Sequence, residues 1–156
     1  MGIVAGGGCG GMMMIDFSYA ATPFLAWLVA GALKFSINSL RAGKLAFGLI
    51  GYGGLPSNHS SIVSSMAALI GFNEGIGHPA FGVTVTLAFI VFLDAASLRR
   101  QVGRHAVAIN RINPKACGEK PLRERMGHTP VEIAAGISTG IAVAWGVHMA
   151  RVLLIR

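Results

Sequence analysis

Residues 133–150 read IAAGISTGIAVAWGVHMA, eighteen positions without a Lys, Arg, Asp or Glu. A helix that crosses a bilayer needs roughly 17–25 predominantly apolar residues. Within the stretch, Gly136, Gly140 and Ala144 recur every four residues, the small-residue spacing that lets two membrane helices approach closely. The stretch therefore predicts a membrane-spanning helix that packs tightly against a neighbour.

Three further apolar segments precede this one, at residues 17–33, 60–71 and 80–93. In the first, Thr22 and Pro23 suggest an N-cap and first turn, with the helix running from there to about residue 40. The second segment is marginal in length and indicates a short or tilted helix. Together the segments predict an all-α integral membrane bundle of about four transmembrane helices.

The composition agrees with a membrane protein. The chain of 156 residues is 53% hydrophobic and 12% charged, with mean hydropathy +0.63, whereas soluble domains carry about 25% charged residues. We expect a single domain over residues 16–156, after a loose Gly- and Met-rich tail at residues 1–15. Cys9 and Cys117 are far apart and fit no ligand spacing, so the sequence predicts neither a disulfide framework nor a metal site.

The net charge of +7 is concentrated between the apolar segments. With four crossings, loops 34–58 and 99–125 fall on one side of the membrane and hold eleven of the thirteen basic residues. The positive-inside rule then places both loops in the cytoplasm, in a multi-pass protein of the inner (plasma) membrane. A phosphate site would concentrate Lys and Arg in the same way. Lipid headgroups or a phosphorylated substrate are therefore the expected partners and nucleic acid is not, while a homo-oligomer stays open.

The stretch GGLPSNHSS, residues 53–61, lies before the second apolar segment. Pro56 is typical of a helix start, which Ser57 or Asn58 can cap. Free backbone N–H groups at such a start attract anions, and His59 lies beside them. The stretch indicates either a phosphate site with His59 as proton donor or an ordinary capped helix with an incidental histidine.

The stretch RERMGHTPVE, residues 123–132, lies before the last apolar segment. Thr129 as N-cap, Pro130 as first residue and Glu132 as third form a capping box. This explains those three residues without catalysis, but it does not explain His128. A carboxylate four positions after the imidazole could instead orient it, so the role of Glu132 stays open between the two.

Two further stretches combine polar groups with helical spacing. In FLDAASLRRQVGRHA, residues 92–106, Asp94 near the end of a membrane segment needs a partner, and a nearby arginine is the natural one. In KFSINSLR, residues 34–41, the terminal Lys and Arg lie two turns apart on one helical face. Both stretches are also compatible with anchoring at the membrane interface.

The four stretches are expected to meet. In the four-crossing arrangement, their basic and imidazole groups lie at one membrane face: Lys34, Arg41, His59, Arg99, Arg100 and His128. Two histidines, several cations and a helix start are the components of phosphoryl transfer, in which one imidazole attacks phosphorus and the other protonates the leaving oxygen.

These residues resemble the type 2 phosphatidic acid phosphatase superfamily, which also contains vanadium-dependent haloperoxidases. That pattern runs Lys, six residues, Arg-Pro; then Pro-Ser-Gly-His; then Ser-Arg, five residues, His, three residues, Asp. Lys34 and Arg41 match the first part, with alanine in place of proline. Ser57 and His59 match the second behind a proline, with Asn58 in place of glycine.

The third part matches incompletely. His128 and Glu132 correspond to its His and Asp, whereas Leu122 occupies the expected arginine position and Arg123 lies one residue too close. The stretches GGLPSNHS, FLDAASLRRQVGRHAVAIN and GHTPVEIAAG more closely resemble the divergent branch of the superfamily, small membrane proteins of bacteria and plants.

The resemblance implies a phosphatase-like core and a mechanism without metal or other cofactor. In it, His128 is the nucleophile, Glu132 orients it, and His59 is the acid for the leaving group. The implied phosphate ligands are Lys34, Arg41, Ser57, the amide of Asn58, and Arg123 or Arg100. Arg99 is a further candidate ligand, and Asp94 is expected to support the arginine cluster.

The sequence thus predicts an integral membrane phosphomonoesterase acting on a lipid or isoprenoid phosphate. One alternative is a non-catalytic membrane protein that keeps the pocket and binds anionic headgroups or partners. A third possibility is haloperoxidase chemistry with bound vanadate, which a small membrane-embedded chain disfavours.

Overall fold

The computed structural model describes residues 17–45, 54–112 and 121–154, and in these ranges the chain is helical without strands. The helices are α1 (Ser18–Ala42), α2 (Asn58–Asn73), α3 (Pro79–Leu93), α4 (Arg99–Ile112) and α5 (Pro130–Leu154). A π-helical segment, Asp94–Leu98, joins α3 to α4 without a break. The all-α prediction is confirmed, and the predicted tail at residues 1–15 lies outside the described residues.

Three helical stretches are long and apolar enough to cross a membrane: Ser18–Ala42, the continuous Pro79–Ile112, and Pro130–Leu154. α2, with 16 residues, is shorter and packs against α1, α3 and α5. Large apolar side chains such as Trp27, Phe89 and Trp145 are exposed, whereas the core consists mainly of small residues. This distribution is that of a membrane bundle, whose outer surface contacts lipid.

The closest helix contact joins α2 to α5. A Cβ added to Gly136 would lie 2.5 Å from the carbonyl oxygen of Ser57, and one added to Gly140 would lie 2.4 Å from that of Ser61. The Ser61 hydroxyl also donates to the carbonyl of Gly136, at 3.0 Å. The predicted small-residue contact on the last helix is therefore confirmed, and its partner is the short second helix.

The predicted start of α1 at Thr22 and Pro23 is wrong. The helix begins at Ser18, with Pro23 inside it, and the buried Thr22 hydroxyl donates to the Ser18 carbonyl at 2.7 Å. A proline inside a helix removes one backbone hydrogen bond and crowds the carbonyl four residues earlier, but near the first turns it affects little of the helix that precedes it. At the other end α1 continues to Ala42, where Gly43 at φ 62° terminates it.

The predicted basic loop 99–125 is also corrected, because α4 occupies residues 99–112. Arg, Gln and Ala are strong helix formers, so the charged stretch continues the helix that begins at Pro79. The helices alternate in direction, which brings the end of α1, the start of α2, the junction of α3 with α4 and the start of α5 to one end of the bundle.

Candidate functional site

The start of α2 is fixed by the buried Ser57. Its hydroxyl oxygen accepts the backbone N–H of Ser60 at 3.4 Å, so the predicted N-cap is confirmed. The Ser57 N–H in turn donates to the carbonyl of Glu132, at 3.0 Å. This backbone hydrogen bond ties the first turn of α2 to the first turn of α5, and therefore sets the distance between the histidines beside each turn.

The start of α5 is a capping box. The backbone N–H of Thr129 donates to Oε2 of Glu132 at 2.8 Å, and the N–H of Glu132 donates to the hydroxyl of Thr129 at 3.2 Å. The predicted capping box is thus confirmed. Glu132 is buried, so the hydrogen bond from the Thr129 N–H helps to satisfy a carboxylate that would otherwise be costly to bury.

His128 is held by the π-helical segment. Its backbone N–H donates to the carbonyl of Ala95 at 3.0 Å, and its own carbonyl accepts from Arg100 at 3.4 Å. The preceding Gly127 has φ 87°, and a Cβ there would lie 3.1 Å from the Arg100 nitrogen. Only glycine adopts this backbone conformation without strain, so Gly127 allows the chain to pass close to the π-helical segment.

The two predicted histidines meet at this end of the bundle. The ring centroids of His59 and His128 lie 6.3 Å apart, with an angle of 67° between the ring planes. The rings therefore stand edge to face, where the starts of α2 and α5 lie next to each other.

Cations surround the two rings. A terminal guanidinium nitrogen of Arg99 lies 3.5 Å from Nε2 of His59, while its Nε donates to Oδ2 of Asp94 at 2.7 Å. The predicted ion pair of Asp94 is thus confirmed, with Arg99 as the partner. Lys34 of α1 is close enough for its charge to act on both histidines.

Two polar atoms at the site have no hydrogen-bond partner among the described residues, although both are buried: Nδ1 of His128 and Oδ1 of Asn58. Most buried polar atoms in folded proteins are hydrogen-bonded, so such atoms mark a place where a ligand or water can bind. Because Glu132 is engaged by Thr129 and not hydrogen-bonded to this nitrogen, its role in orienting His128 stays a prediction.

Burial and the surrounding cations favour neutral imidazoles. The pKa of His128 is lowered, first by burial and then by Lys34, His59 and Arg99, against the opposing effect of Glu132. The pKa of His59, on the short helix α2, is lowered by burial and by Arg99 and Lys34. A neutral imidazole keeps a lone pair for nucleophilic attack.

Two further predicted ligands are Arg41 and Arg123, and their place in the site stays a prediction. Arg41 lies exposed in the last turn of α1, two turns beyond Lys34, and makes no hydrogen bond to either histidine among the described residues. Nε of Arg123 donates to the carbonyl of Arg125, within its own segment. Among the described residues, no three of His, Cys, Asp and Glu lie close enough together to hold a metal ion.

Sequence reasoning missed the two features that position His128. The π-helical segment has no sequence signature, because DAASL is compatible with an ordinary α-helix. Gly127 carried a usable signal, since a glycine directly before a capping box is a candidate for a backbone conformation that other residues avoid.

Comparisons with known proteins agree on one family. The family model described as the Divergent PAP2 family matches residues 17–143. The chain is also 31% identical over 133 residues to the uncharacterized membrane protein YuiD of Bacillus subtilis (strain 168), an alignment that covers 74% of this chain and 84% of that protein. No solved structure matches significantly.

Proposed function

Because the chain belongs to the divergent PAP2 family, we propose that it is an integral membrane phosphomonoesterase with a histidine nucleophile. The observation that carries the proposal is the convergence of His59 and His128, whose ring centroids lie 6.3 Å apart beside Arg99. A phosphate group between two imidazoles and fixed cations meets a nucleophile, a proton donor and a positive field together.

In the proposed reaction, a ring nitrogen of His128 attacks phosphorus as the bond from phosphorus to the leaving oxygen breaks. His59 gives its proton to that oxygen. Water then cleaves the phosphorus–nitrogen bond, and His59 takes the proton from the water. Burial and the nearby cations lower the pKa of His59, and a bound phosphate dianion opposes the effect of the cations, so substrate binding favours the protonated acid.

Phosphate oxygens in this proposal are held by Arg99 and Lys34 and by the start of α2, where Ser57 and the amide of Asn58 lie. Asp94 is a positioning residue, because its ion pair holds the guanidinium of Arg99 beside His59. A bidentate or charge-assisted contact of this kind fixes an arginine more firmly than solvent does.

The proposed substrate is a lipid or isoprenoid phosphate. The site lies at the end of a bundle whose outer surface is apolar, so a substrate whose chain stays in the bilayer presents its phosphate at the level of the histidines. We place this end of the bundle on the cytoplasmic side of the inner membrane, since most basic residues flank it.

The test is release of inorganic phosphate by the purified protein in detergent. Phosphatidic acid and an isoprenyl phosphate are compared with glycerol 3-phosphate, which lacks the chain. We expect turnover of a lipid substrate that is lost in His128→Ala. The matched control is His78→Asn, because His78 caps α3 far from the site through a 3.3 Å hydrogen bond from Ala80, and asparagine can replace that cap. Equal rates for wild type and His128→Ala on every substrate would contradict the proposal.

A non-catalytic anion-binding protein is the second candidate. It is favoured by one observation, that Glu132 is used in the capping box and leaves Nδ1 of His128 without a hydrogen-bond partner among the described residues. Binding to phosphatidic acid vesicles that survives His128→Ala but is lost when Arg99 and Arg100 are both changed to Gln, without phosphate release by wild type, would favour this function.

A further inference from the structure

α4 carries an exposed row of side chains that the proposed chemistry does not use. Val102, His105, Ile109 and Ile112 are spaced three, four and three residues apart, and Leu98 precedes them by four. All five are exposed, and the exposure of the four apolar side chains ranges from 42% for Val102 to 84% for Ile112. We call this row the α4 seam. Alternate spacing of three and four residues is the pattern of positions a and d in a coiled coil.

Much of the seam lies beyond the membrane. Pro79 to Leu98 are 20 residues of continuous helix, which at about 1.5 Å per residue match a hydrocarbon core of about 30 Å. Ile109 then lies roughly 16 Å past the end of that core. Lipid tails therefore do not cover Ile109 or Ile112, and exposed apolar side chains in a row outside the bilayer indicate a contact surface.

Another face of α4 is already covered within the chain, by residues 121–127, which we call the strap. The side chain of Asn110 pairs with both the N–H and the carbonyl of Leu122, at 3.0 and 2.9 Å. A Cβ on Gly103 would lie 2.4 Å from the carbonyl oxygen of Glu124. The strap therefore covers one face of α4, whereas the seam residues on another face are exposed.

The charged residues of α4 lie outside the seam. With Val102 at position a, the arginines at 100, 104 and 111 occupy the outer positions c and f. The flanking positions e and g hold Ala106, Gln101 and Ala108, together with Arg99, which is paired with Asp94 in its own chain. A second helix with the same charge pattern can therefore approach the seam without like charges meeting, which is the condition for pairing with an identical chain.

We propose that the α4 seams of two copies pair as a short parallel coiled coil at the site end of the bundle. Copies inserted in the same orientation have parallel α4 helices, so a two-fold axis along the membrane normal places each seam residue opposite itself. His105, the polar residue among the core positions, would fix the register. Two heptads suffice because confinement of both copies to one membrane raises their effective concentration.

Cysteine cross-linking of the full chain tests the pairing directly. In a background of Cys9→Ser and Cys117→Ser, single cysteines replace Val102 or Ile109 in the seam, with Arg104 or Arg111 as matched controls on the outer face of the same helix. After oxidation in membranes, we expect at least 10-fold more covalent dimer for the two seam cysteines than for the two outer ones. Equal dimer yields from both faces, or none from either, would overturn the proposal.

A second measurement distinguishes a dimer from a monomer whose seam is covered by lipid. A spin label on the Ile109→Cys cysteine reports accessibility to oxygen, which concentrates in lipid. We expect low accessibility to oxygen and spin–spin broadening from the partner label. High accessibility to oxygen without broadening would show that lipid occupies the seam and would refute the pairing. The pairing does not depend on catalysis, so phosphatase assays leave this result unaffected.

Discussion

The two ends of the bundle both contain histidine, acid and cation, but they use them differently. At the far end, Nδ1 of His148 lies 2.6 Å from Oδ1 of Asn73, and the Tyr19 hydroxyl donates to Glu74. At the site end, Nδ1 of His128 is buried without a hydrogen-bond partner among the described residues. His148 is therefore held by a neighbouring side chain. His128 is positioned through its backbone, and Nδ1 of its ring can still bind a ligand.

This difference teaches how to distinguish a structural histidine from a functional one. His148 also packs against the ring of Phe72, with centroids 5.7 Å apart, and therefore joins α2 to α5. The ring of His59 instead lies with its centroid 6.3 Å from that of His128, and its Nε2 lies 3.5 Å from a guanidinium nitrogen of Arg99. A polar group whose partners lie within the protein stabilises the fold, whereas unpartnered groups beside excess positive charge suit an anionic ligand.

The largest loss of activity is expected from changing a histidine at the site end, and none from changing one at the far end. Replacing His59 with Ala removes the proposed acid, so kcat for a lipid phosphate should fall by about 10²–10⁴-fold. The fall should be much smaller for an aryl phosphate, because a phenolate leaves without needing a proton. His148→Ala should retain wild-type kcat on both substrates, as measured by phosphate release. An equal loss from His59→Ala on both substrates would remove His59 from the acid role.

A smaller loss is expected from Asp94→Asn, since Arg99 stays present but is no longer held. Displacement of a charge-stabilising group by about 1 Å can cost on the order of 10²-fold, and we expect a fall of about 10- to 100-fold in kcat/KM. Asp94→Glu, which keeps the carboxylate, should restore part of the activity. Glu74→Gln at the far end is the matched control, and an equal fall in it would indicate a general effect on folding.

Much of the site end could be predicted from the sequence. The capping box at Thr129 and Glu132 and the cap at Ser57 depend on neighbours within three residues, and local patterns specify such features. The small-residue rows predicted a close helix pair, which the structure identifies as α2 with α5. These local features placed both histidines beside helix starts.

The junction between α3 and α4 could not be predicted in the same way. Its π-helical segment differs from an α-helix by one residue of register, and the carbonyl of Ala95 within it accepts the N–H of His128, which is distant in sequence. Because basic residues usually follow a membrane segment, the sequence predicts a loop at Arg99 and Arg100. Basic residues indicate where a helix leaves the membrane, but they do not indicate where the helix ends.

The pH dependence of activity tests the electrostatic difference between the ends. A lowered pKa keeps His128 neutral below the usual value, so the acidic limb of the kcat/KM profile should lie below about pH 6.5. Lys34→Gln removes one of the cations that lower this pKa, and the limb should move upward, towards 6.5. A limb that stays fixed or moves downward in Lys34→Gln would contradict the proposed role of the lysine charge.

The smallest effect is expected at the far end. Tyr19→Phe removes the hydroxyl that donates to Glu74, and with it one hydrogen bond between α1 and the end of α2. A single partly exposed hydrogen bond contributes about 0.5–1.5 kcal/mol, so thermal unfolding in detergent should shift by only a few degrees. Phosphate release at a temperature where both proteins are folded should be unchanged, because the contact lies at the opposite end from His59 and His128. A substantial loss of activity without a loss of stability would mean that the two ends are coupled through α2, and the far end would then belong to the functional site.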